Sequence, residues 1–164
     1  PGSIARFELA EMAGLELALS EAAHAPGYPS LTFADLDAAG ARLGQACFDI
    51  HPSAHRVTVT TNIAGVWASL RCGQPPPACY RLERPQDILV WRQGHDARFR
   101  LLGDEESRAF EKARAGSAFG GLIEFLEDLD DPALAAERAM IYLRGWIEAE
   151  LISSFRFAAA AVEK

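Results

Sequence analysis

Four histidines, three cysteines and one dense run of carboxylates are the residues in this chain that offer chemistry by type and spacing. His51 and His55 are four apart, but Pro52 follows the first directly and the stretch reads as extended. A helical metal pair needs both imidazoles on one helical face, which this stretch does not offer. Adding Cys47 gives a loose C-x3-H-x3-H pattern. The plainer reading is a turn whose His and Ser side chains bond the backbone, and no metal site is expected. Cys47, Cys72 and Cys79 form no CxxC pair and cannot close a disulfide framework, so reduced thiols in a cytoplasmic protein are expected.

Glu124, Glu127, Asp128, Asp130 and Asp131 put five carboxylates into eight residues. Acid–base work would need one of them desolvated. At a helix end such a cluster reads instead as a solvated face and loop, with Asp131 placed to cap a helix beginning at Pro132. There is no G-x-S-x-G, no phosphate-cradling glycine loop and no nucleotide fingerprint. Gly116, Gly120 and Gly121 flank a short helix in a way that suggests close packing. The residues point to no enzyme and no catalytic set.

Binding residues are easier to find. On the last helix Ala136, Met140, Leu143, Ile147 and Leu151 form one apolar stripe. Beside it run Arg138, Tyr142 and Trp146, residue types favoured as interface anchors. This second line reads either as a partner surface or as a widening of the core. On a strand at 97–101, Phe99 and Leu101 should face inward and Arg98 and Arg100 outward. If that strand is a sheet edge, it can accept an added peptide strand. The groove between it and the last helix would then take the peptide's side chains, with the arginines attracting an acidic one.

The elements that must position these residues follow from pattern and punctuation. The length of 164 residues fits one domain or a small domain with a packed extension, and 49% apolar residues suffice for a core. Residues 4–23 are helix formers with an apolar stripe of Ile4, Phe7, Met12, Leu15 and Leu19, stopped at Pro26-Gly27. Thr32 caps a short helix that Gly40 ends. Residues 42–50 read as extended, and His55 to Thr60 alternate as a strand. Thr61 or Asn62 caps helical turns carrying Ile63, Val66, Trp67 and Leu70. Gly73-Gln74-Pro75-Pro76-Pro77 is the strongest break. Residues 87–92 and 97–101 then form a hairpin about Gly94, followed by helices near 104–115, 117–128 and 132–150. The predicted fold is α+β: a helical N-terminal segment with a small antiparallel sheet (1–73), then a winged-helix-like hairpin and three helices (84–158).

Sixteen basic residues against twenty-three acidic ones, a net charge of −7 and no basic run put nucleic-acid binding at a disadvantage. There is no signal peptide pattern and no stretch long enough to span a membrane. Pro1-Gly2-Ser3 reads either as a cloning scar on a fragment or as a natural start.

Ile88-Leu89-Val90-Trp91-Arg92, then Ala97-Arg98-Phe99-Arg100-Leu101, a helix opening Asp104-Glu105-Glu106 and the ending Trp146 to Ile152 resemble the C-terminal part of the HvfC/BufC-type family, often labelled DNA-binding. The segments Ile4 to Ala10, His51-Pro52-Ser53 and Ile63 to Trp67 resemble that family's linking helix and middle strands. The likeness spans nearly the whole chain, and its specificity comes from the order and spacing of short motifs. The family's helical N-terminal domain is not among these residues, so the resemblance implies a fragment or a shorter relative. It further implies a partner subunit of TIM-barrel, multinuclear-iron enzymes that modify cysteines of ribosomally made peptides, as in methanobactin and bufferin pathways. The hairpin and three helices resemble a PqqD-type recognition element, which captures a precursor's leader as an added strand.

The expectation is therefore a cytoplasmic, non-catalytic subunit. It binds a precursor peptide through Arg98, Phe99, Arg100, Leu101, Arg138, Tyr142 and Trp146. It docks an iron-dependent oxidase around His51, His55, Arg56 and Trp67, and it holds no cofactor itself, the iron belonging to the partner. The alternative is a transcriptional regulator using the helices 117–128 and 132–150 as a helix-turn-helix, which the acidic surroundings disfavour.

Overall fold

The computed structural model describes residues 2–129 and 131–157, with side chains from residue 8 onward. Asp130 and residue 158 of the expected second half lie outside the described residues, as do the side chains of Ile4 and Phe7. The fold is mixed α+β, with an N-terminal helix, two small antiparallel sheets and a C-terminal helical segment. The chain divides into two units, one of Pro1–Ala25 with Ser53–Asp104 and one of Pro26–Pro52 with Glu105–Lys164. Each draws on both sides of the glycine–proline break.

In the first unit, helix α1 (Gly2–His24) lies on a three-stranded sheet of β2 (His55–Thr61), β3 (Arg81–Gln93) and β4 (Asp96–Leu102), ordered β2-β3-β4. Helix α3 (Ile63–Arg71) follows β2. The core gathers Leu15, Ala18, Leu19 and Ala22 of α1, Val59 of β2, Ile63 and Val66 of α3, and Ile88 and Val90 of β3. Alternation along β2 brings Val57 and Val59 to this face, as period two requires. On the other face Asp87 accepts from Arg56 at 3.0 Å and from Thr58 Oγ1 at 2.6 Å, tying β2 to β3. The predicted strand at 87–92 is the central part of a longer β3. Its start at Arg81 pairs with Thr61 across a register shift, a stretch that Pro85 hides from a strand reading. The hairpin turns at Gly94-His95, where Gly94 has φ 60°, the positive value expected of it.

Asn62 departs from its expected role. It makes no side-chain cap on α3. Its amide instead donates to the Ala78 carbonyl (3.1 Å) and accepts from the Tyr80 N–H (2.8 Å), clasping the chain that returns from the break. Ser53 accepts from the Arg92 N–H at 3.0 Å, the backbone-bonding role expected of that turn.

In the second unit, α2 (Phe33–Ala39) opens on a capping box between Thr32 and Asp35 and ends at Gly40, with φ 50°. Residues 42–45, expected as extended, belong to a 3-10 helix (Gly40–Gln45), and the strand β1 (Ala46–Ile50) begins only at Ala46. Helices α4 (Asp104–Arg114), α5 (Phe119–Glu127) and α6 (Ala135–Glu148) follow the hairpin in the predicted order. Gly116 stops α4 with φ 87°, and Asp131 accepts from the Ala133 N–H at 3.0 Å, as expected. Pro132 opens a separate 3-10 turn ahead of α6. The chain reverses at Glu150, a non-glycine residue with φ 58°, and a further strand β5 (Ile152–Phe157) pairs antiparallel with β1. Asp49 anchors that pair, accepting from Ser154 Oγ and Arg156. Gly120 does serve close packing, since a Cβ there would stand 3.1 Å from the Gly44 carbonyl oxygen.

Candidate functional site

β4 is an edge strand. Among the described residues it pairs only with β3, from Gln93↔Asp96 to Asp87↔Leu102. Its grip on the unit comes from Ala97 and Phe99, which pack against the core. The Phe99 ring meets the Trp67 indole edge-on, centroids 5.2 Å apart at 90°, a favourable arrangement for two quadrupoles. One turn on from Trp67, the Arg71 guanidinium stands 5.4 Å from the indole centroid.

Beside these rings opens a cleft of about 520 Å³, formed by Leu19 and Ser20 of α1, Trp67 and Arg71 of α3, and His95 to Arg98 of the hairpin. Its size falls in the range of ligand sites. Two arginines against one carboxylate, Asp96, give the lining a positive balance in a chain of net charge −7. The Arg98–Asp96 pair is loose, at 3.8 Å between exposed side chains, and such pairs hold little energy.

Of the residues expected on β4, Phe99 is inward and Arg98 exposed, while Arg100 is half-buried. Leu101 corrects the expectation. It shares the face of Phe99 yet is 46% exposed, a large apolar side chain left near the end of an edge strand.

Arg138, Tyr142 and Trp146 belong to the second unit and are engaged within it. Trp146 is 1% exposed, stacks on Tyr142, meets Phe110 edge-on and donates its indole N–H to Glu106 at 3.0 Å. It takes the core alternative of the two readings. Tyr142 donates to Glu105 at 2.8 Å, and Arg138 donates to the Leu126 carbonyl at 2.8 Å. Burial first, and then the hydrogen bond to Glu105, push the Tyr142 hydroxyl far above the ordinary phenol range. The core face of α6 is Ala135, Ala139, Leu143, Trp146 and Ile147, while Ala136 of the expected stripe is exposed.

His51 is also in the second unit, buried at 4%, its ring edge-on to Tyr28. His55, Arg56 and Trp67 are in the first, with His55 half-buried on β2. Cys47 lies buried in β1 of the second unit. Among the described residues no group of three or more His, Cys, Asp or Glu side chains gathers as metal ligands. Glu124, Glu127, Asp128 and Asp131 are all exposed.

One carboxylate is arranged with care that the residue pattern did not reveal. Glu11 accepts from the N–H and hydroxyl of Thr60 (2.6 and 2.8 Å) and of Thr61 (3.0 and 2.5 Å). Burial raises its pKa, but the four donors together outweigh burial and hold it below the ordinary carboxylate range. Saturated in this way, it pins α1 to the end of β2 and has no lone pair left for acid–base work. Arg71 and His95 were missed as well. The signal for Arg71 was available, since it follows Trp67 by four residues on a short helix.

No helix among the described residues is long and apolar enough to cross a membrane. Comparison with protein-family models, curated proteins and solved structures gives no match.

Proposed function

We propose that this chain is a non-catalytic partner subunit that binds a ribosomally synthesised precursor peptide and presents it to an iron-dependent TIM-barrel oxidase that modifies cysteine. The leader of the peptide adds as a strand to β4. The observation that carries this reading is the open edge of β4, anchored from behind by Phe99 and Trp67 and bordered by a cleft of positive balance. Strand addition draws affinity from main-chain hydrogen bonds and specificity from pockets for alternate side chains. The hairpin β3–β4 precedes α4, α5 and α6 in the order expected of a winged-helix-like recognition element, but the hairpin belongs to the first unit and the three helices to the second, so the task is given to the hairpin and its own unit. Arg98 and the exposed Leu101 are the contacts β4 offers an incoming strand. His55 and Arg56, on the opposite edge strand of the same sheet, remain as the oxidase-docking residues in the first unit.

The helix-turn-helix reading finds less support. The exposed side of α6 carries Glu137, Ile141, Arg144 and Glu148, two acids and an aliphatic residue against one base. Such a face repels phosphate and has few donors for base edges.

Purification of the native complex from its host, with mass spectrometry and iron analysis, tests the proposal. It predicts an iron-bearing TIM-barrel protein together with a small cysteine-containing peptide. Recovery of DNA alone, retained at moderate salt, would contradict it.

A further inference from the structure

We infer that the cleft at the start of β4 selects an acidic side chain, Asp or Glu, on the peptide strand that adds there. This rests on the proposed strand addition and deepens it by naming the side-chain class read. A strand laid along β4 alternates its side chains between the two faces of the sheet. Those on the face of Ala97 and Phe99 project to the side that α1 covers, where the cleft opens. Arg71 enters from α3, with the Trp67 ring as the apolar wall, while Arg98, alternating to the other face of β4, borders the cleft at the strand edge. Arg71 already lies over Trp67, a contact that favours this placement of the guanidinium for pairing with a carboxylate. An apolar side chain would give the Arg71 guanidinium no charge partner, and a basic one would be repelled by it.

The test uses the full chain and peptides selected on it from a random dodecapeptide display library. Selected peptides are expected to share one acidic position. Replacing that acid by its amide should weaken binding to the native chain on the order of tenfold, since hydrogen bonds to charged groups are of that strength. The same replacement should have no effect on Arg71→Gln. Arg71→Glu should invert the preference toward a basic residue, an inversion that loss of packing alone cannot produce. Hydrogen exchange across β4 accompanies each titration. Equal binding of acid and amide peptides, with β4 amides still protected, overturns the cleft and leaves strand addition standing. Selected peptides that leave β4 unprotected overturn the proposed function and the cleft's role with it.

Discussion

The donors that converge on Glu11 make it the most committed single side chain of the first unit. Glu11→Gln keeps the shape but turns one acceptor into a donor facing Thr61 or Thr60, and should cost about 1–3 kcal/mol in urea unfolding at neutral pH. The pH dependence follows from the lowered pKa. A carboxylate depressed in the folded state gives its stabilisation in full above its unfolded value near 4.5, and loses it as pH falls through the folded value. The gap between native and Glu11→Gln stability should therefore narrow on going from pH 7 toward pH 3. A residue of the second unit makes the contrasting case. Trp146 looked as fit for a partner surface as for the core. Its burial, its hydrogen bond to Glu106 and its contacts with Phe110 and Tyr142 make Trp146→Ala a core truncation. It should cost about 3–5 kcal/mol in thermal or urea unfolding.

Helix α5 contains two adjacent glycines in different surroundings. A Cβ at Gly121 meets nothing within 4 Å, so Gly121→Ala should stabilise by up to about 1 kcal/mol through helix propensity. A Cβ at Gly120 presses on the Gly44 carbonyl, so Gly120→Ala should lose that gain or reverse it. Parallel melting curves of the two variants check the difference. Elements were legible in the sequence wherever a cap, a breaker or a clean period marked them. Thr32 with Asp35, Gly40, Gly94, Gly116 and Asp131 all punctuate the chain as read. The misses have physical causes. β5 was hidden because the helix before it is reversed by Glu150 at φ 58°, a position usually given to glycine. The core face of α6 was misplaced because its apolar residues run almost all round. Only packing decides that Trp146 goes in while Ile141 stays 59% exposed. The cleft was not legible at all, because it joins Leu19, Trp67, Arg71 and His95 from three separate stretches.

For the whole molecule, the break at Gly73 to Pro77 looked like a boundary between halves, yet the strand pairings cross it. β2 pairs with β3 and β1 with β5, so each compact unit needs chain from both sides. Residues 71–78 are exposed and suited to nicking by a protease. A single cut there should leave both fragments together in size-exclusion chromatography, with circular dichroism little changed. Fragments that part without denaturant would contradict the pairing. The acidic balance of the whole chain sets the background against which the positive lining of the cleft stands out. That local reversal suits an anionic group.

The central claim is that β4 receives a peptide strand. Amide hydrogen exchange, read by mass spectrometry on the full chain with and without the precursor peptide recovered from the native complex, tests it most directly. Strand addition at β4 should slow exchange in residues 96–102 and leave α6 and β5 unchanged. Binding that leaves 96–102 exchanging as before, and protects α6 instead, would contradict it.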